Sequence, residues 1–113
     1  MEFVFKTTVT MKPHNNKKWW IDSGIVREIR VEAGNLKEAI AKYRETVMEK
    51  HYISISDSAI RNKSPMYRDM RDGEAQQIGY VITGKTDFED GYKWTAQYID
   101  LWVEIYTIGR PEF

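Results

Sequence analysis

Residues Gly79-Tyr80-Val81-Ile82-Thr83-Gly84-Lys85-Thr86 satisfy the phosphate-loop spacing G-x-x-x-x-G-K-[ST] at every required position. That motif grips phosphate because a glycine-rich backbone curls with its N–H groups inward, between a buried strand and the positive end of a helix. Neither condition is met here. Tyr80, Val81, Ile82 and Thr83 are strand formers, and the segment that follows, Asp87-Phe88-Glu89-Asp90-Gly91, would put carboxylates beside the phosphate. Only 27 residues follow Thr86, too few for the parallel sheet that normally supplies a magnesium-binding acid. The match predicts a strand and not a nucleotide site.

The remaining inventory for catalysis is thin. Asp87, Glu89 and Asp90 cluster carboxylates, but not in the alternating order that wraps calcium in a helix-loop-helix site, so a solvated hairpin turn is expected. There are two histidines, His14 and His51, and no cysteine, which removes thiolate chemistry, disulfides and cysteine-based metal sites. Ser54, Ser56 and Ser58 alternate in a β-type run near His51 and Asp57. Residues so close along a strand point to alternate faces and do not converge as a nucleophile system. No acid–base pair, metal site or cofactor site can be assembled from residues near one another in the sequence, and a non-enzymatic protein is expected.

Two constellations suit binding. In the last β-type run the odd positions Ile99, Leu101, Val103 and Ile105 are aliphatic, while the even positions carry Trp94, Tyr98, Trp102 and Tyr106, punctuated by Asp100 and Glu104. A single amphipathic helix covers one face of a sheet, so the aromatic face needs other cover: the 57–75 segment folded back, a sheet curled into a partial barrel, or a partner. The acids would orient a protein partner and turn away acidic ones. The second constellation, Lys12, His14, Lys17, Lys18, Trp19 and Trp20, mixes cations and large rings in a turn region, the combination that contacts phosphates and stacks bases.

These groups must be held by a small set of elements. Residues 2–11 alternate with Phe3, Phe5, Val9 and Met11 on one face, which predicts a strand buried on one side. Residues 18–32 read as its returning partner, with a break near Gly24. Asn35 and Glu38 have the spacing of a helix cap and its reciprocal acid. Leu36, Ala39, Ile40, Tyr43 and Val47 then recur at helical spacing, predicting one principal helix over about 35–50. Residues 52–56 are β-type, 57–73 form a long excursion with one helical turn, 76–86 read as a strand, 87–91 as an acidic turn, and 92–108 as a final strand. Seventeen residues extended at about 3.3 Å each would reach about 55 Å, so that strand must bend, coil or protrude.

The predicted fold is therefore α+β in the order β-β-α-β-β-β. A mainly antiparallel sheet of about five strands carries one principal helix on one face, as a single domain over residues 1–113. The chain has 113 residues, 17 basic and 17 acidic side chains and 42% hydrophobic residues, the composition of one small globular domain. Its formal charge of zero removes the global positive field that sequence-independent nucleic-acid binders use. Locally the balance differs, +3 over residues 1–51 (ten basic, seven acidic) against −3 over 76–113 (three basic, six acidic). No signal peptide is read at Met1–Lys6 and no apolar run approaches the roughly 20 residues of a membrane span, so a cytoplasmic protein without membrane partners is expected. The leading expectation for function is a binding or regulatory protein acting through protein contact, as a homodimer or with another protein, on the Trp94–Tyr106 face. The alternative is a nucleic-acid-binding accessory protein using the Lys12–Trp20 tip.

Overall fold

The periodicity of the N-terminal residues becomes the edge-to-centre half of a single antiparallel sheet. A computed structural model describes residues 1–11, 26–51, 53–69, 73–90, 93–108 and 110–111, with side chains for all of these except 11, 26–27, 87–90, 93–97 and 110–111. The elements are β1 (Glu2–Met11), β2 (Val26–Glu32), α1 (Leu36–His51), α2 (Asp57–Arg61), β3 (Ser64–Asp69), β4 (Ala75–Asp90), β5 (Lys93–Thr107) and β6 (Arg110–Pro111). The strand order is β2-β1-β5-β4-β3, with β6 pairing β5, and every pairing is antiparallel. The α+β class and the principal helix packed on one face are as expected from sequence. The N-terminal and final long strands, β1 and β5, lie side by side at the centre.

The two faces of the sheet separate by parity, apart from Val4, an even position beside Tyr106 that is also buried. Phe3, Phe5 and Thr7 of β1, Ile29 and Val31 of β2, and Ile99, Leu101, Val103 and Ile105 of β5 are all buried. Against them α1 buries Ala39, Ile40, Tyr43 and Val47, the stripe its spacing predicts, with Leu36 packed at its margin. The Phe5 and Tyr43 rings stack with centroids 4.6 Å apart, and the Tyr43 hydroxyl shares a 2.7 Å hydrogen bond with Thr7 Oγ1. A phenol placed in an apolar core thus has its polar atom satisfied.

The start of α1 is held as the sequence suggests. The Glu38 N–H donates to Asn35 Oδ1 at 2.8 Å, the Gly34 N–H donates to Glu38 Oε2 at 3.0 Å, and Lys42 lies 3.6 Å from Glu38 one turn on. Replacing Asn35 with alanine leaves that N–H without its side-chain acceptor and is expected to cost about 1 kcal/mol, read as a lower denaturant midpoint at unchanged slope.

The excursion is more structured than its sequence indicates. After α1, among the described residues, the chain bridges β4 at Ser54, whose paired N–H···O bonds with Lys85 measure 2.8 and 2.9 Å. The β-type run at 52–56 is thereby reduced to one bridging residue, although Ile55 is buried in the core. The Ser56 hydroxyl then caps α2 by accepting from the Ala59 N–H at 3.0 Å, and β3 runs along the outer edge of β4 with a register shift between Met66 and Tyr67. The acidic turn expected at 87–91 is shorter than predicted, because the ladder continues through Asp87↔Ala96, Glu89↔Trp94 and Asp90↔Lys93. The break near Gly24 and most of the returning strand's first half lie outside the described residues.

Candidate protein-contact face

The even positions of β5 point away from α1, and the sheet geometry places specific neighbours beside each. Trp102 sits between Thr8 of β1 and Val81 of β4, and its Nε1–H donates to Thr10 Oγ1 at 2.9 Å. That bond holds the indole along the sheet, and the side of the ring away from it stays in solvent: Trp102 is 40% exposed and Tyr98 64%. Tyr98 lies opposite Lys85, whose ammonium is 5.9 Å from the ring centroid. Tyr106 is half-buried beside Val4, with the Lys6 ammonium 5.4 Å from its ring.

The two acids of the row have different surroundings. Glu104 accepts from Arg68 Nη2 at 3.1 Å and from the Tyr106 hydroxyl at 2.5 Å. Arg68 belongs to β3, two strands away, and reaches Glu104 across the one position of β4, Gly79, that carries no side chain between Met66 and Glu104. The hydrogen bond to the Glu104 carboxylate, followed by partial burial, raises the Tyr106 phenol above its ordinary pKa. Among the described residues Asp100 accepts a long 3.4 Å hydrogen bond from Thr83 and no shorter one. Of the two acids expected to steer partners, Glu104 is already engaged by its own chain and Asp100 is the more available.

The structure thus brings Tyr98, Asp100, Trp102, Glu104 and Tyr106 onto one face. Trp94 is in β5, paired with Glu89, but its side chain lies outside the described residues. The described residues of the 57–75 segment do not fold back over this row, and Met70 lies outside them. The segment's strand β3 widens the sheet, with Tyr67 57% exposed and Met66 half-buried at the margin, while α2 packs on the α1 side through Ala59 and Ile60. Among the described residues no element covers the face. Arg68 is the neighbour that sequence reasoning missed. Its edge strand is exposed on both sides, so it has no alternation to announce it.

The other motifs resolve as follows. Gly79 to Thr86 runs within β4 with no helix after it, so its backbone N–H groups serve a ladder and not a phosphate cradle. Asp57 pairs with Arg44 at 2.6 Å, and that guanidinium holds its carboxyl below the usual range. Among the described residues no three metal-ligating side chains cluster, and no helix is long and apolar enough to cross a membrane. Lys12, His14, Lys17, Lys18, Trp19 and Trp20 lie outside the described residues. No protein-family model, curated protein or solved structure matches the chain.

Proposed function

We propose that this protein is a non-enzymatic contact module that pairs with a second copy of itself through the open face of its sheet, centred on Trp102. The observation that carries the reading is a half-exposed tryptophan on the central strand, flanked at four-residue spacing by Tyr98 and Tyr106, on the face opposite the helix. Tryptophan and tyrosine supply large rigid areas with a polar edge and dominate binding energy at interfaces.

Size and charge favour a second copy as the occupant. Five strands at about 4.8 Å spacing lie alongside Trp102–Tyr106 and three alongside Ile99–Leu101, which together present about 500 Å² per copy, or about 1,000 Å² in the pair, the lower end of specific interfaces. Both signs of charge are interspersed there. Arg30 pairs with Glu2 and Glu28 and Arg68 with Glu104 within the chain, which leaves Lys6 and Lys85 of one copy to face Asp100 of the other in a two-fold arrangement.

The test is the mass of the purified protein by sedimentation across a wide concentration range, with Trp102→Ala alongside. A concentration-dependent dimer is expected, weakened about thirtyfold or more in the variant, as for a central aromatic anchor worth about 2 kcal/mol. The variant should keep wild-type helix content and cooperative unfolding. A strictly monomeric mass at all concentrations overturns self-association, and an unweakened dimer in Trp102→Ala moves the interface elsewhere.

A further inference from the structure

On the opposite side of the molecule, α1, α2 and β4 leave a groove of about 320 Å³. Its floor is apolar, formed by Leu36 and Ile40 of α1, Ile60 of α2 and the ring of Tyr80. Its rim is cationic: Lys37, Arg44 and Lys63 line it, and no carboxylate does. Sites for small molecules have this build, an enclosing apolar surface with a few charged groups that fix one end of the ligand.

The three cations are not equally committed. Arg44 is neutralised by Asp57 at 2.6 Å. Lys63 is spent on neutral groups, donating to the Ile60 carbonyl oxygen at 3.2 Å and lying 4.9 Å from the Tyr80 ring centroid. Lys37 stands in the first turn of α1, where the helix dipole disfavours positive charge. Two ammonium groups without a carboxylate partner among the described residues thus stand at an apolar groove. An anionic group would relieve both, and an apolar tail would displace water from the floor.

We propose that this groove binds a small amphipathic carboxylate, an aliphatic chain carrying one terminal acid. The chain lies over Leu36, Ile40, Ile60 and Tyr80, and the carboxylate is taken by Lys37 and Lys63 while Arg44 remains with Asp57. The site is independent of the open sheet face, so neither reading depends on the other.

The experiment is an amide chemical-shift titration of the full chain with octanoate, 1-octanol and octyltrimethylammonium, three probes with one tail and different heads. Octanoate is expected to give saturable shifts confined to the first turns of α1, to α2 and to the neighbourhood of Tyr80. Octanol should bind the same place about tenfold more weakly, the loss of one charge-assisted contact, and the cation should give no saturable shift. Replacing both lysines (Lys37→Met with Lys63→Met) should erase the preference for octanoate over octanol while octanol still binds. Ala41→Trp, an exposed position on the groove wall, should block both ligands in a folded protein. The proposal is overturned by an absence of saturable octanoate shifts at the groove, by equal affinity for octanol, or by a preference that survives the double lysine variant.

Discussion

Replacing Gly79 with alanine is expected to remove most of the domain's stability, seen as a collapse of the denaturant midpoint or loss of the cooperative transition. A Cβ built at this position falls 1.7 Å from the Val103 carbonyl oxygen, 2.8 Å from its carbon and 3.0 Å from the Glu104 Cα. The first is about half the roughly 3.5 Å at which such atoms rest in contact. All three atoms are main chain of the central strand, so no rotamer change relieves the clash. Nor can β5 retreat freely, because β1 grips its other edge through Thr7↔Val103 and Lys6↔Glu104. Core overpacking that side chains can absorb costs about 1–3 kcal/mol. Backbone driven into backbone sits at or above the top of that range, against a total stability of about 5–15 kcal/mol for a domain of this kind.

Gly73→Ala supplies the control. Nothing lies within 4 Å of a Cβ there, but φ is +82°. It should cost only the left-handed penalty of about 1–2 kcal/mol. Equal effects at the two positions would show that Gly79 is not a point of close strand approach.

Period-two alternation survives in β1 and β5 because each has one face fully buried, and the helical stripe of α1 survives for the same reason, so the layers and the aromatic row could be read directly. β3 gives no such signal, since a strand exposed on both sides has no reason to alternate. The run at 52–56 has strand composition yet, among the described residues, meets the sheet at Ser54 alone, because Ser56 already caps α2 and turns the chain into a helix. Composition does not report how soon the next element begins. The acids at 87–90 read as a turn by propensity, but pairing with Lys93–Ala96 carries them as ladder. The Arg68–Glu104 contact and the cationic groove both need residues from distant segments to converge. Spacing along the chain does not encode that convergence.

The buried phenol of Tyr43 gives the second large effect, and it appears only in alkali. The ring is 0% exposed and its hydroxyl meets Thr7, itself 3% exposed, so loss of the phenolic proton would leave a charge in an apolar core. Burial raises the pKa to about 12, with the Thr7 hydrogen bond opposing it only in part. In the unfolded chain the same phenol ionises near its ordinary value of 10.0. Between these values the unfolded state sheds a proton that the native state keeps, so stability is fully present below pH 10 and is lost as the pH climbs towards 12. The slope is about 1.4 kcal/mol per pH unit, which over two units removes about 2–3 kcal/mol.

Tyr43→Phe abolishes this dependence at the cost of the hydrogen bond, about 1 kcal/mol at neutral pH. The variant should therefore be the less stable protein at pH 8 and the more stable one near pH 12, the two curves of denaturation free energy against pH crossing between them. Tyr106, whose phenol is also raised, titrates in both proteins and drops out of the difference. Thr7→Val separates the hydrogen bond from the charge. It strands the Tyr43 hydroxyl as Tyr43→Phe strands that of Thr7, so it should cost about as much at pH 8, yet keep the alkaline loss because the ionisable group remains. Parallel curves for wild type and Tyr43→Phe across this window would mean that the ring is not sealed between α1 and β1, and the docking of the helix on the sheet would have to be redrawn.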